Sequence, residues 1–198
     1  MKKRMLLKSF CIALLLCCIS GKTYAQDWKS ILTGVAKEVV GDKITTASSI
    51  VRTWNYVAPE CQFESDDLLA KAGGEVASKK VEEQMQTVYD KIGLSGCQFT
   101  FNEDGSYSYK LKNRTVSGTY TFNDTDKTIT MSAKLGIKLT AQVTAAGNNM
   151  SLVFNTDKLM SALQTITGAV SKVNDTASSI NSLISTYDGL RLGFELEK

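Results

Sequence analysis

Between Gln98 and Asn155 the chain reads QFTFNEDGSYSYKLKNRTVSGTYTFNDTDKTITMSAKLGIKLTAQVTAAGNNMSLVFN, and this stretch decides the fold. Apolar residues recur at every second position: Phe99 and Phe101; Tyr107, Tyr109 and Leu111; Val116, Gly118, Tyr120 and Phe122; Ile129 and Met131; Ile137, Leu139, Ala141 and Val143; Met150, Leu152 and Phe154. A period of two places each set on one face of a strand. Six consecutive strands follow. Between them lie Asn102-Glu103-Asp104-Gly105, Lys112-Asn113-Arg114, Asn123-Asp124-Thr125-Asp126, a glycine at Gly136, and Gly147-Asn148-Asn149. These are turn residues, and connections this short make neighbouring strands antiparallel.

Two further strands flank the meander. Val51 to Val57, with Trp54 and Tyr56, is β-prone, and the chain's single proline, Pro59, marks its end or an edge bulge. At the far end Leu190, Leu192, Phe194 and Leu196 alternate with Arg191, Gly193, Glu195 and Glu197. Helical spacing fills the intervals. Ser65 with Asp66 and Asp67 suits the start of a helix, and the insert from Asp66 to Ile92 carries Leu69, Val76, Val81, Met85, Val88 and Ile92. Gly73-Gly74 and the five-residue step from Val76 to Val81 predict a kink or two helices. From 157 to 187, Leu159, Leu163, Ile166, Val170, Val173, Ala177, Ile180, Ile184 and Tyr187 form a heptad-like stripe opposite a Ser/Thr/Asn face. A short N-terminal helix from Asp27 to Gly41 is expected, with Trp28, Ile31, Leu32, Val35 and Val39 on its apolar face.

Eight strands with a continuous central meander predict a mainly β chain. The expected architecture is an eight-stranded antiparallel up-and-down barrel, with a helical insert between strands 1 and 2 and helices before the last strand. Pairing of the last strand with the first removes both edges.

Met1 to Lys8 is basic, Ser9 to Ser20 is dominated by apolar residues, and Thr23-Tyr24-Ala25 offers a cleavage site, so residues 1–25 read as a secretory signal cleaved after Ala25. Residues 26–198 then form one domain, exported to the periplasm or the outer envelope. No later stretch has the ~20 consecutive apolar residues of a transmembrane helix. The segment holds Lys2, Lys3, Arg4, Lys8 and Lys22, five of the 23 basic residues, and none of the 20 acids. The remainder has 18 basic and 20 acidic residues, a net charge of −2, and lacks the basic footprint of a nucleic-acid binder.

Cys11, Cys17 and Cys18 leave with the signal, so Cys61 and Cys97 remain, flanking the helical insert. In an oxidising compartment the pair suggests a disulfide, worth roughly 3 to 4 kcal/mol by loop closure. Two buried thiols are the alternative.

The segments Trp54-Asn55-Tyr56, Phe63 through Gly74 (FESDDLLAKAGG), Phe99 through Gly105 (FTFNEDG) and Ser117 through Phe122 (SGTYTF) together resemble an exported lipocalin-like family of gut Bacteroidetes, known as a domain of unknown function. The resemblance spans most of residues 26–198 and implies a calycin-type barrel. It does not imply an activity. Lipocalins open their first strand with Gly-x-Trp, where this chain has Arg52-Thr53-Trp54. They also stack a basic side chain on that tryptophan, which the resemblance would assign to Arg191; an ordinary exposed arginine is the other reading.

There is no histidine, which removes Ser-His-Asp and Cys-His nucleophilic sites and His-bearing zinc sites. Glu60, Glu64, Asp66 and Asp67 cluster in sequence, but a solvated strand end and a helix start account for them. Glu103-Asp104-Gly105 and Asp124-Thr125-Asp126 lack the spaced ligand set of an EF-hand loop, and Gly73-Gly74 lacks a P-loop ending. No enzyme activity, cofactor or metal is expected. The remaining chemical feature is aromatic: Trp54, Tyr56, Phe99, Phe101, Tyr107, Tyr109, Tyr120 and Phe122 are expected on one face of the barrel. They would contact a small apolar ligand or lipid in the lumen. Alternatively they fill the barrel, and the protein is a structural or interaction module of the envelope.

Overall fold

The alternating pattern closes on itself. The computed structural model describes residues 45–111, 113–133, 136–167, 182, 185–187 and 189–198. Its strands are β1 (Thr53–Phe63), β2 (Gln98–Phe101), β3 (Ser106–Leu111), β4 (Arg114–Asn123), β5 (Thr128–Ala133), β6 (Lys138–Ala146), β7 (Asn149–Asn155) and β8 (Leu190–Glu197). They follow one another in sequence order, all antiparallel, and β8 pairs with β1 to close the barrel. One ladder of partners shows the closure: Phe122, Ile129, Ala141, Phe154, Leu192 and Cys61 are successive cross-strand neighbours from β4 round to β1. Ile129, Ala141, Phe154 and Leu192 are fully buried. Burial of each larger apolar side chain contributes roughly 1.5–3 kcal/mol.

Register fixes which side faces in. Odd-numbered residues of β2, β3, β5 and β6 and even-numbered residues of β4, β7 and β8 share the inner face, as the alternation predicts. On β1 the parity changes at a bulge between Tyr56 and Ala58, so Trp54 and Tyr56 face in before it, and Pro59 and Cys61 after it. The strand therefore does not stop at Pro59 but runs to Phe63. Its pairing with β2 covers only Thr53–Asn55, while its pairing with β8 runs from Asn55 to Phe63. Pro59 thus lies where β1 has lost one neighbour, and a residue without an N–H is tolerated there.

The helical insert enters at that opening. α1 (Ala47–Ile50) precedes β1; α2 (Asp66–Ala72) and α3 (Glu75–Ile92) lie between β1 and β2. The Ser65 hydroxyl accepts from Leu68 N–H at 3.2 Å to start α2, and Gly73, with φ +106°, ends it. A left-handed φ suits glycine, so Gly73-Gly74 splits the insert into two helices. α3 buries Ala77, Val81, Met85, Val88, Tyr89 and Ile92. Val76, expected on that face, is 77% exposed, because a separate helix starting at Glu75 rotates it outward. The Tyr89 ring meets the inward-facing Tyr56 and Phe194 edge-on, with centroids 6.2 and 6.3 Å apart, so α3 packs against the inner side of β1 and β8.

α4 (Thr156–Thr167) leaves β7 with the Thr156 hydroxyl donating to the Leu190 carbonyl at 2.6 Å. Leu159, Met160 and Leu163 join the same core. Most of the helical stripe expected to follow, as well as the secretory signal and the N-terminal helix, lies outside the described residues.

The expected disulfide is absent. Cys61 and Cys97 are both buried thiols. Cys97 lies beside Tyr56, whose N–H donates to its carbonyl at 2.9 Å, whereas Cys61 is five residues further along β1. That is about 16 Å of strand, far beyond the ~7 Å between Cα atoms that a disulfide spans. The Cys97 thiol instead donates to the Lys110 carbonyl at 2.9 Å, and burial pushes its pKa up to about 12.

Candidate functional site

Two ends of the barrel differ in how they are filled. Where β1 begins, Trp54 is fully buried and its indole N–H donates to the Ile50 carbonyl at 2.9 Å, which seats α1 under the barrel. The cation on that ring is Arg52, whose guanidinium carbon lies 5.1 Å from the ring centroid and whose Nη1 donates to the Gly147 carbonyl at 3.4 Å. Arg191 is elsewhere: it pairs with Glu64 at 3.2 Å near the other end of β1. Of the two readings of Arg191, the ordinary exposed arginine is the one found, and the cation on the ring is Arg52. The local sequence Arg52-Thr53-Trp54 puts a basic residue two positions from the ring, and a strand places such residues on the same face.

Along the β1–β2–β8 side the rings pack on each other. Phe99 stacks on Phe194 at 5.1 Å and lies 5.1 Å from Tyr109; Phe154 meets Phe194 at 5.5 Å. Phe101 contacts Tyr107 at 6.2 Å and Tyr120 edge-on at 5.2 Å. Of the eight aromatics expected to face a ligand, Trp54, Phe99, Phe101 and Tyr107 are buried in this protein-protein packing. Tyr56 is half-buried, its hydroxyl donating to Gln86 Oε1 at 3.1 Å. Gln86 in turn donates to Asp90 at 2.8 Å and to Ser95 at 3.1 Å, and Ser95 bonds Asp90, so this tyrosine fastens the insert.

The β3–β6 side is different. Tyr109, Tyr120, Phe122 and Leu139 face inward and pack against the core, yet each keeps part of its surface accessible, as does Val116 on the same face. On β4 every inward position from Val116 to Phe122 is only half-buried. Tyr120 is anchored by its hydroxyl, which donates to the Asn102 carbonyl at 2.8 Å. Among the described residues the hydroxyls of Tyr107 and Tyr109 have no hydrogen-bond partner. Desolvation raises both tyrosine pKa values, for Tyr109 with smaller contributions from Tyr107 and Cys97, so both remain neutral donors. Val116 and Leu139 were visible in the sequence only as members of a strand face. Exposure distinguishes them, and alternation carries no signal for it.

Gly118 marks a tight point on β4. A Cβ there would collide with the Ser132 carbonyl on β5 and sit 2.9 Å from Tyr107 Cε1, so only glycine lets the two strands approach. A depression of about 570 Å³ borders it, lined by outward-facing residues such as Ser108, Ser117 and Ser132 and also by Tyr107 and Ala133 of the inward set. Among the described residues no group of three or more Cys, Asp and Glu side chains could hold a metal ion, and no helix is long and apolar enough to cross a membrane. The acidic turns have local roles. Asp104 accepts from Ser106 N–H at 2.9 Å, and hydrogen bonding from the Ser106 side chain, followed by this backbone bond, holds its carboxyl below the usual range; Asn123 Oδ1 accepts from Thr125 and Asp126 N–H.

A closed eight-stranded meander with a tryptophan sealing the start of its first strand is a calycin-type arrangement, and the family model of the lipocalin-like domain DUF4923 matches residues 27–198. The chain belongs to this family. Among solved structures, the DUF4923 barrel is similar to a DUF4847 family protein from Bacteroides vulgatus, at 14% identity and a TM-score of 0.37, over 75% of this chain and 92% of that one. No curated protein matches the DUF4923 chain in sequence.

Proposed function

We propose that this DUF4923 protein is an exported, non-enzymatic binding barrel that takes one small apolar ligand or lipid against the half-open inner face of β3–β6. One observation supports this reading. Tyr109, Val116, Tyr120, Phe122 and Leu139 face inward and are only partly covered, while the opposite wall is packed with the protein's own rings. An apolar face left partly accessible inside a closed barrel gains stability when an apolar molecule covers it. The packed β1–β8 side supports the rival reading, a filled barrel whose outer surface contacts a partner in the envelope.

The discriminating substitution is Leu139→Trp, with Val116→Trp as its companion. Both positions are half-buried and face inward, so an indole can occupy the space proposed for the ligand without disturbing the packed core. Titration with a neutral fluorescent naphthylamine probe should show binding to the wild type and at least tenfold weaker binding to both variants, with unchanged urea unfolding. Equal binding by all three proteins, or none by the wild type, would count for the filled barrel. Gly118→Trp is unsuitable, because even a Cβ there collides with β5. Ala141→Trp is equally so, because Ala141 is fully buried in the packed ladder.

A further inference from the structure

Resting on that binding reading, the charge around the half-open face names the ligand's chemistry. β4 begins at Arg114, and its even-numbered residues face inward, so Arg114 heads the same face that continues as Val116, Gly118, Tyr120 and Phe122. Its partner across the hairpin is Leu111, and the next inward pair is Val116 with Tyr109. From Arg114 to Phe122 the stripe is about 27 Å long. Arg114 is exposed at one end of it, and Tyr109, with its unpartnered hydroxyl, stands one inward step below.

Two further described cations lie at the same end of the barrel as Arg114. Lys110 lies in the same hairpin, and Lys138 starts β6 at the same end of the barrel; in sequence the two connections add Lys112 and Lys134. No acidic residue occurs from Ser106 to Phe122 or from Lys127 to Thr156. Arg114, Lys110 and Lys138 are exposed, and among the described residues none of them makes an ion pair. The turns at the opposite end of the same strands carry Glu103, Asp104, Asp124 and Asp126, of which Asp124 is paired with Lys127 at 3.0 Å. At the basic end itself, Glu64 is held by Arg191 on the β1–β8 side, and Asp157 opens α4 just after β7. The half-open face thus has one cation, Arg114, at one end, with Lys110 and Lys138 on the outer side of the same end, and an uncharged apolar wall below it.

We propose that the ligand is a single-chain anionic amphiphile: its tail lies along the β4 face, and its head group is bound by Arg114 with the Tyr109 hydroxyl. A guanidinium pairs with a carboxylate or a phosphate through two parallel N–H donors, and a neutral phenol adds a third. Lys110 and Lys138 draw the anion to the rim by longer-range attraction that salt screens.

The test compares palmitate with hexadecanol, two probes of equal chain length that differ in charge. On the purified protein, palmitate should bind at least tenfold more tightly at low salt, and 0.5 M NaCl should reduce that preference. Arg114→Gln should bring palmitate down to the level of hexadecanol and leave hexadecanol unchanged, while Lys127→Gln at the opposite end should alter neither. Arg114 is exposed and unpaired, so its replacement leaves the fold intact. Equal affinity of the wild type for the two probes would overturn the anionic ligand and leave the apolar site standing. Failure of both to bind would overturn the binding reading itself. Lysophosphatidic acid bound with the same Arg114 dependence would assign the head group to phosphate as well as carboxylate.

Discussion

The Tyr89 hydroxyl of α3 donates to the Gly193 carbonyl of β8 at 3.1 Å, in a fully buried site 104 residues apart in sequence. This bond ties the insert to the strand that closes the barrel. Gly193 cannot carry a side chain, because a Cβ would collide with the Leu152 carbonyl of β7. Tyr89→Phe leaves that buried carbonyl without its donor and should lower stability by about 1–3 kcal/mol. Urea unfolding measures it directly. A loss under a few tenths of a kcal/mol would mean that α3 is not held at this point.

The cation over Trp54 is the subject of a second expectation. A double-mutant cycle on Arg52 and Trp54 should give a coupling of about 0.5–1 kcal/mol. The same cycle on Arg191 and Trp54 should give none, since Arg191 is engaged with Glu64. Coupling found only for Arg191 would restore the lipocalin-like assignment and contradict the one described above.

The cysteines are distinguished by reductant. Unfolded under non-reducing conditions, a protein of residues 26–198 should titrate as two thiols, and dithiothreitol should leave its melting temperature unchanged. A fall in melting temperature with dithiothreitol would show a bond between Cys61 and Cys97 that β1 keeps apart.

Alkaline stability follows from the same buried groups. Desolvation raises the pKa of Cys97 to about 12 and also raises Tyr56, Tyr89 and Tyr109. In the unfolded chain the thiol titrates near ~8.5 and the phenols near ~10. Above those values the unfolded state has released protons that the folded state keeps, so stability falls as pH rises. It should be at its full value below about pH 8.5 and decline steadily from there toward pH 12. Urea midpoints measured from pH 7 to 11 give the curve, and a flat response would mean that these groups are hydrated in the native state.

What the sequence made legible was whatever repeats locally. Strand faces from Phe99 to Phe154 follow from a period of two, and the split at Gly73-Gly74 follows from glycine's freedom to adopt φ +106°. Long-range register was not legible. That β1 leaves β2 after Asn55 decides where Pro59 is tolerated, why Cys61 cannot reach Cys97, and why α3 can pack against the inner wall. The candidate site divides the same way. Its aromatic membership was visible in the alternation, but that Phe99 is covered depends on Phe194, nearly a hundred residues away.

That the half-open face holds a ligand is tested most directly by native mass spectrometry of the protein isolated gently from its own host. The expected spectrum contains a stoichiometric lipid-sized mass that leaves on denaturation and is recovered by organic extraction. A clean unliganded mass, unchanged after incubation with the host's lipid extract, would contradict it and make the barrel a filled one.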